Sequence, residues 1–343
     1  MLYDVIIIGA GPGGLACACI TAAHGLKTLV LERKDTLGKK VCAGGITWNG
    51  LLKKVPVDIS ERHFCKQHIF TRFQTTCVDS PTPIIATVNR EKLGREMAEK
   101  ALQAGAEIRL GCQVTAIDQN RIECINKKSG SHDQYSCTSL VGADGSSSLV
   151  RRSLGLPVAA TGIGITYQIP GDYPEMEWHF NSSLFGSGYA WVFPHRDSAS
   201  IGAYVDARTM KASKLKANLL HWGKKQGYPL EQHKASAEFI NFDFRGWRFA
   251  NTFLVGDAAG LASGLTGEGI YPAIISGETI GQFIANPGSS TAALLNLIKN
   301  HKMHANMVSL AGKNTILATL IAEITVFGLK KKLLDFSAVE MAR

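Results

Sequence analysis

The chain has 343 residues, 45% of them hydrophobic, with 35 glycines and a formal net charge of +9 from 37 basic and 28 acidic residues. That length buries a large core and suits one large domain plus a smaller one, in the composition range of an α/β enzyme. Eight cysteines without a CxxC pair or zinc-like spacing argue against a disulfide scaffold or a structural metal and read as reduced thiols. The positive surplus suits a phosphate-bearing cofactor or an anionic membrane surface. Nucleic acid is not expected, because no basic stretch is interleaved with aromatics.

The apolar start is too short and too close to Asp4 for a signal peptide, which predicts a cytoplasmic protein. Tyr3 to Ile8 reads as a strand, Gly9-Ala10-Gly11-Pro12-Gly13-Gly14 as a turn, and Leu15 to His24 as a helix. In that order Gly9 allows the tight turn, Gly11 lets a pyrophosphate approach bare backbone, and Gly14 lets the helix pack closely on the sheet. The helix N-terminus then offers free N–H groups and a favourable dipole to the anion. A second strand, Lys27 to Leu31, ends at Glu32, placed to accept hydrogen bonds from a ribose 2′-hydroxyl. Together these predict a dinucleotide site at the N-terminus.

Arg90 opens a helix running to about Ala104, where it either reaches a cofactor phosphate or is a solvated first-turn arginine; Ala106 to Leu110 follows as a short strand. Leu140 to Arg152 reads as strand, Asp144-Gly145 turn and serine-rich helix start, converging backbone N–H groups at one point. Met176 to Phe180, Gly188 to Pro194 and Ser198 to Val205 read as antiparallel strands. Alternation sets Tyr189, Trp191 and Phe193 on one face, either as the wall of an apolar pocket or as an ordinary core face. Near Asn251 to Gly260 the strand-then-Gly-Asp pattern recurs, with Asp257 placed to accept from a polyol chain. The next stretch, from Gly264, reads as a glycine-bracketed helix start in which Glu268 is either a first-turn acid favoured by the dipole or a catalytic base.

The expected organisation is a discontinuous cofactor domain (1–55, 86–155 and 246–290), a substrate domain with an antiparallel sheet (56–85 and 156–245) and a C-terminal helical segment (291–343). No uninterrupted apolar run reaches the roughly 18 residues of a membrane span. Ile316 to Leu329 leads into Lys330-Lys331-Lys332, either as a helix packed on the body with a solvated lysine end or as a tail lying on a bilayer.

The order GxGxxG, GADG, GDAAG over residues 9 to 260 resembles the flavoprotein hydroxylase superfamily with the fold of para-hydroxybenzoate hydroxylase. The resemblance implies a Rossmann-like domain binding FAD, with Gly9, Gly11, Gly14 and Glu32 at the ADP half, Asp144 near the pyrophosphate and Asp257 on the ribityl chain; Arg33, Arg90 and Gly145 are further candidate cofactor-binding residues. Gly267, Gly269 and Ile270 would face the flavin ring, stabilising negative charge on its pyrimidine edge. Tyr189-Ala190-Trp191-Val192-Phe193-Pro194 resembles the YxWxFP signature of the geranylgeranyl reductase family, and Lys40-Val41-Cys42-Ala43-Gly44-Gly45 its Cys-Gly-rich loop, although CAGG here departs from the usual CGG or CGE. This implies reduction of carbon–carbon double bonds in prenyl chains by hydride from flavin N5. Tyr189, Trp191 and Phe193 would form the substrate wall and Cys42 a candidate proton donor. Gly162-Ile163-Gly164 lacks a third glycine, Tyr167 standing in its place, so NAD(P)H is expected as a transient donor or another reductase supplies the electrons. The competing readings are an FAD monooxygenase, a flavin halogenase, disfavoured because WxWxIP is absent, and a lycopene-cyclase-like enzyme.

Overall fold

The structure, a computed structural model, describes residues 2–38, 40, 42–54 and 59–342. The N-terminal strand, Leu2–Ile8, is the centre of an eight-stranded sheet. It pairs in parallel with Thr28–Leu31 on one side and with the second half of His132–Gly142 on the other. Glu107–Arg109 and Thr252–Leu254 extend the parallel core outward, and Arg248–Phe249 closes one edge antiparallel. A strand covered on both faces has no solvent side to alternate with, which is why Val5 to Ile8 is continuously apolar and buried.

Two helices sit face to face against this sheet, Pro12–Ala23 from the first glycine turn and Ile270–Ala285 from the last. Their backbones approach so closely that a Cβ on Gly277 would overlap the carbonyl of Gly13. That contact joins sequence ends more than 250 residues apart and brings the first and last glycine motifs to one point.

A second sheet of seven strands runs in the order Ser236–Asn241, Thr161–Pro170, Ser198–Asp206, Tyr189–Pro194, Glu177–His179, Lys66–Phe70, Thr75–Asp79. It is not wholly antiparallel as expected: Glu177–His179 pairs antiparallel with Tyr189–Pro194 but parallel with Lys66–Phe70. The chain leaves after Asp79, passes through the first sheet and returns, so no hairpin fixes the direction of that pair. Ala190 and Val192 face Leu215, Leu219 and Trp222 of the helix Ala212–Gln226, while Tyr189, Trp191 and Phe193 join Trp178 and Tyr204 on the opposite face. A three-stranded sheet, Gly45–Thr47, Ile85–Val88 and Ser60–Phe64, lies alongside the site. Helices Ala292–Ala311 and Thr315–Lys330 follow, the latter burying Val326 and Leu329 against the aromatic cluster while Lys330, Lys331 and Lys332 stay exposed.

Arg151, fully buried on the short helix Leu149–Ser153, ties the two sheets together. Its Nη2 donates to Asp243 Oδ2 at 3.1 Å and to the Pro157 carbonyl at 3.0 Å. Burial depresses its pKa, and the Asp243 charge opposes that shift. Removing one partner of a buried pair leaves an uncompensated charge. Asp243→Ala should therefore lower unfolding free energy by about 3–5 kcal/mol in denaturant titrations, whereas Arg245→Ala, removing an exposed partner of the same carboxylate, should cost under about 1 kcal/mol.

Candidate active site

A cavity of about 760 Å³ runs from the first glycine turn, between the two sheets, to the aromatic face of the second. At its polar end Gly9 has φ +104°, and a Cβ there would overlap the Ala143 carbonyl. Gly14 is equally tight against the Gly9 carbonyl, so the turn has no room for side chains. The helix that follows has Gly11 as its N-cap, Pro12 in its first turn and no capping side chain, which leaves its N–H groups free towards the cavity. Helix Ile270–Ala285 starts the same way, capped by Gly269 without a side-chain hydrogen bond, and Gly267, Gly269 and Ile270 all line the cavity. Two helix N-termini thus converge on the cavity, their first turns packed against each other at Gly13 and Ala273.

Glu32 follows the second strand directly; its Oε2 accepts from Ala10 N at 2.8 Å and its Oε1 from Lys34 N at 2.9 Å. Each oxygen keeps a further lone pair for a ribose hydroxyl. Arg33 is exposed at the rim. Arg90 is not the solvated arginine of the alternative reading: its Nε and Nη1 are buried and have no hydrogen-bond partner. Asp144 lies on the cavity wall, but its Oδ2 accepts from Leu149 N at 2.6 Å and Val150 N at 3.3 Å, capping a helix start. Burial raises its pKa against those bonds, and its Oδ1 has no partner. Gly145 beside it has φ +79°. Asp257 accepts from Lys40 Nζ at 2.9 Å and from Ser146 Oγ at 3.2 Å, which ties the Lys40 loop and the turn after Gly145 to the last motif. The Asp257 charge raises the Lys40 pKa despite burial. Unpartnered Arg90 donors, an unpartnered acidic oxygen and two uncapped helix starts in one cavity fit a phosphate-linked dinucleotide such as FAD.

At the apolar end Tyr189, Trp191 and Phe193 both line the cavity and belong to a core cluster, so the two sequence readings of that strand face are one surface. Their polar atoms are satisfied: Tyr189 Oη donates to the Thr266 carbonyl at 2.6 Å and Trp191 Nε1 to Ser200 Oγ at 3.1 Å. Cys42 lines the same space, its Sγ accepting from Gly44 N at 3.3 Å. The loop is held from beneath by His195, whose ring contacts Glu61 Oε2 at 2.5 Å and the Ala43 carbonyl at 3.0 Å. Gly44, at φ +83°, is pressed against that ring, where a Cβ would overlap it.

Glu268 corrects the sequence reading. The helix begins at Ile270, with no acid in its first turn, and Glu268 precedes it. Its Oε2 accepts from Met341 N at 3.0 Å and its Oε1 from Thr47 Oγ1 at 3.4 Å. Burial pushes its carboxyl up to about 7, the reverse of a dipole-stabilised acid. Lys40, His195 and Glu61 were missed as well. Lys40 pairs with a residue 217 positions away, and His195 with one 134 away, separations that no local pattern encodes.

The comparisons fit this geometry. The pattern of the FAD binding domain family matches residues 2–170. The chain is similar to digeranylgeranylglycerophospholipid reductase 3 of Methanosphaera stadtmanae, 29% identical over 313 residues, covering 82% of this chain and 77% of that one. Among solved structures, a geranylgeranyl bacteriochlorophyll reductase-like protein from Thermoplasma acidophilum superposes with TM-score 0.81 at 21% identity, covering 99% of this chain and 95% of that one. A probable FAD-dependent monooxygenase from Pseudomonas aeruginosa superposes with TM-score 0.68 at 17% identity, covering 95% of this chain and all of that one, a likeness of fold alone. The chain is thus an FAD-dependent oxidoreductase with the flavoprotein hydroxylase fold. Within that class it is similar to proteins named digeranylgeranylglycerophospholipid reductase and geranylgeranyl diphosphate reductase.

Two outcomes follow from the polar groups. Arg90→Met removes buried donors that the protein itself does not satisfy, so FAD affinity in equilibrium titrations should fall at least about tenfold while the melting temperature of the apoprotein does not drop. Glu268 has a folded pKa of about 7 against an ordinary 4.5, so the folded state holds the extra proton between those values and loses stability as pH rises through that window. Glu268→Gln should abolish that part of the decline in apoprotein melting temperature between about pH 5 and 7.

Proposed function

We propose that the protein reduces carbon–carbon double bonds of isoprenoid chains. The observation that carries this reading is the single cavity, whose polar end is built for a dinucleotide and whose other end is walled by Trp178, Tyr189, Trp191 and Phe193. An aromatic, largely apolar chamber with few polar groups suits a hydrocarbon chain and offers little to orient a polar aromatic substrate. The named activities of relatives such as the Methanosphaera reductase support the same class of substrate.

Bound and reduced, FAD supplies the hydride. The chain's own residues do the rest. The helix starts at Gly11 and Gly269, with Arg90 and Glu32, would hold the cofactor's phosphates and ribose. The aromatic wall excludes water from the alkene. Completing the reduction takes one proton per hydride, delivered to the neighbouring carbon. Cys42 Sγ and the Glu268 carboxyl both line the cavity, and burial pushes the Glu268 carboxyl up to about 7, where it holds such a proton. Cys42 is the assigned donor, with Glu268 as the group that re-protonates the site. NAD(P)H, visiting transiently, or a separate reductase restores the reduced cofactor.

Under anaerobic conditions with chemically reduced FAD, a geranylgeranyl lipid should gain one hydride and one proton per double bond, read by mass spectrometry. A strict requirement for oxygen with a hydroxylated product would replace this reading by the monooxygenase one, and an isomer of unchanged mass would indicate a cyclase. Cys42→Ala should lower kcat by about 10²-fold or more with FAD content unchanged. An unaltered kcat would move the donor role to Glu268 or water.

A further inference from the structure

We infer that the outer face of helix Thr315–Lys330, with its lysine end and the neighbouring hairpin tip, is a docking surface for an anionic lipid bilayer. This deepens the reading above and rests on it for the lipid character of the substrate.

The helix has two apolar faces. Ala318, Ile321, Ala322, Thr325, Val326 and Leu329 face inward and line the cavity. On the opposite side Ile316, Leu320, Ile324 and Phe327, spaced by three or four residues, are 80%, 52%, 60% and 50% exposed. Scattered single apolar residues on a surface need no explanation, but a helical stripe of four does.

The one acidic group on this helix is turned aside. Glu323 accepts from Thr71 Oγ1 at 2.9 Å, Phe73 N at 3.0 Å and Gln74 Nε2 at 2.7 Å, the tip of the hairpin between Lys66–Phe70 and Thr75–Asp79. These bonds seat the hairpin tip beside the stripe and present Phe73, 75% exposed, together with Arg72 over its ring. Leu333 and Leu334, both exposed, continue the apolar surface beyond the helix end.

Charge selects the occupant. Exposed Lys330, Lys331 and Lys332 close one end of the helix and exposed Lys313 precedes the other. A second copy laid on the stripe would bring cation against cation whether the two helices ran parallel or antiparallel. A bilayer bearing anionic headgroups meets both ends favourably while its acyl boundary takes up the apolar side chains. Among the described residues no helix is long and apolar enough to cross a membrane, so the helix lies on the surface. Its inward face then makes the cavity wall and the membrane contact two sides of one helix, a short route for a hydrocarbon chain leaving the bilayer.

The test is co-sedimentation of the full-length, FAD-loaded protein with phosphatidylcholine vesicles containing 30% phosphatidylglycerol and with pure phosphatidylcholine vesicles. The protein should pellet with the anionic vesicles and be released by salt. The triple variant K330Q/K331Q/K332Q should partition at least about tenfold more weakly. Ile324→Glu with Phe327→Glu should abolish binding, with FAD content and alkene reduction in detergent unchanged. Failure of the wild-type protein to bind anionic vesicles would overturn the inference, as would variants that bind as the wild type does. So would a dimer that the glutamate variants dissociate without effect on vesicle binding. Vesicle binding without reduction in detergent would instead overturn the functional reading and leave the surface standing.

Discussion

The whole site depends on close backbone packing at one place. Gly9, Gly14 and Ala143 meet where the first strand turns into its helix, and Gly13 and Gly277 let the first and last cofactor helices touch backbone to backbone. Any side chain there would push apart elements that contribute the two uncapped helix starts. Because those helices are fixed to the same parallel sheet and to each other, their free N–H groups face one cavity together. Everything downstream is built onto that frame, including the Lys40–Asp257 pair and the Arg90 donors.

The second sheet contributes a boundary. Its strand Tyr189–Pro194 divides two environments by simple alternation, small aliphatic side chains toward a covering helix and large aromatics toward the cavity. The aromatics pack against one another and bury their polar atoms on neighbouring carbonyl and hydroxyl groups. The wall they form is consequently apolar, its own polar atoms turned to protein partners. That is the physical difference between holding a hydrocarbon chain and orienting a polar ring.

Much of this was legible in the chain itself. The strand–glycine–helix order at residues 3 to 24, Glu32 after the second strand and the alternation at residues 189 to 194 are local patterns, and the structure places each at the cavity. What was not legible depends on distant partners. Glu268 read as a first-turn acid because the glycine-rich run before Ile270 was taken into the helix start; its actual surroundings come from Thr47 and Met341, which the fold delivers from opposite ends of the chain. The Glu61–His195 bridge beneath the Cys42 loop and the unsatisfied donors of Arg90 exist only once the sheets are assembled. The direction of the Glu177–His179 pairing was likewise open, because no short turn joins it to Lys66–Phe70.

The central claim is that one cavity holds the flavin and the isoprenoid chain in contact, with the aromatic wall of the second sheet as the substrate side. Titrating the FAD-loaded protein with an isoprenoid alkene while recording the flavin absorption spectrum tests it most directly. The account predicts a saturable perturbation of the flavin bands that weakens when Trp191 or Phe193 is replaced by serine. An alkene that binds by equilibrium dialysis yet leaves the flavin spectrum unchanged would contradict it.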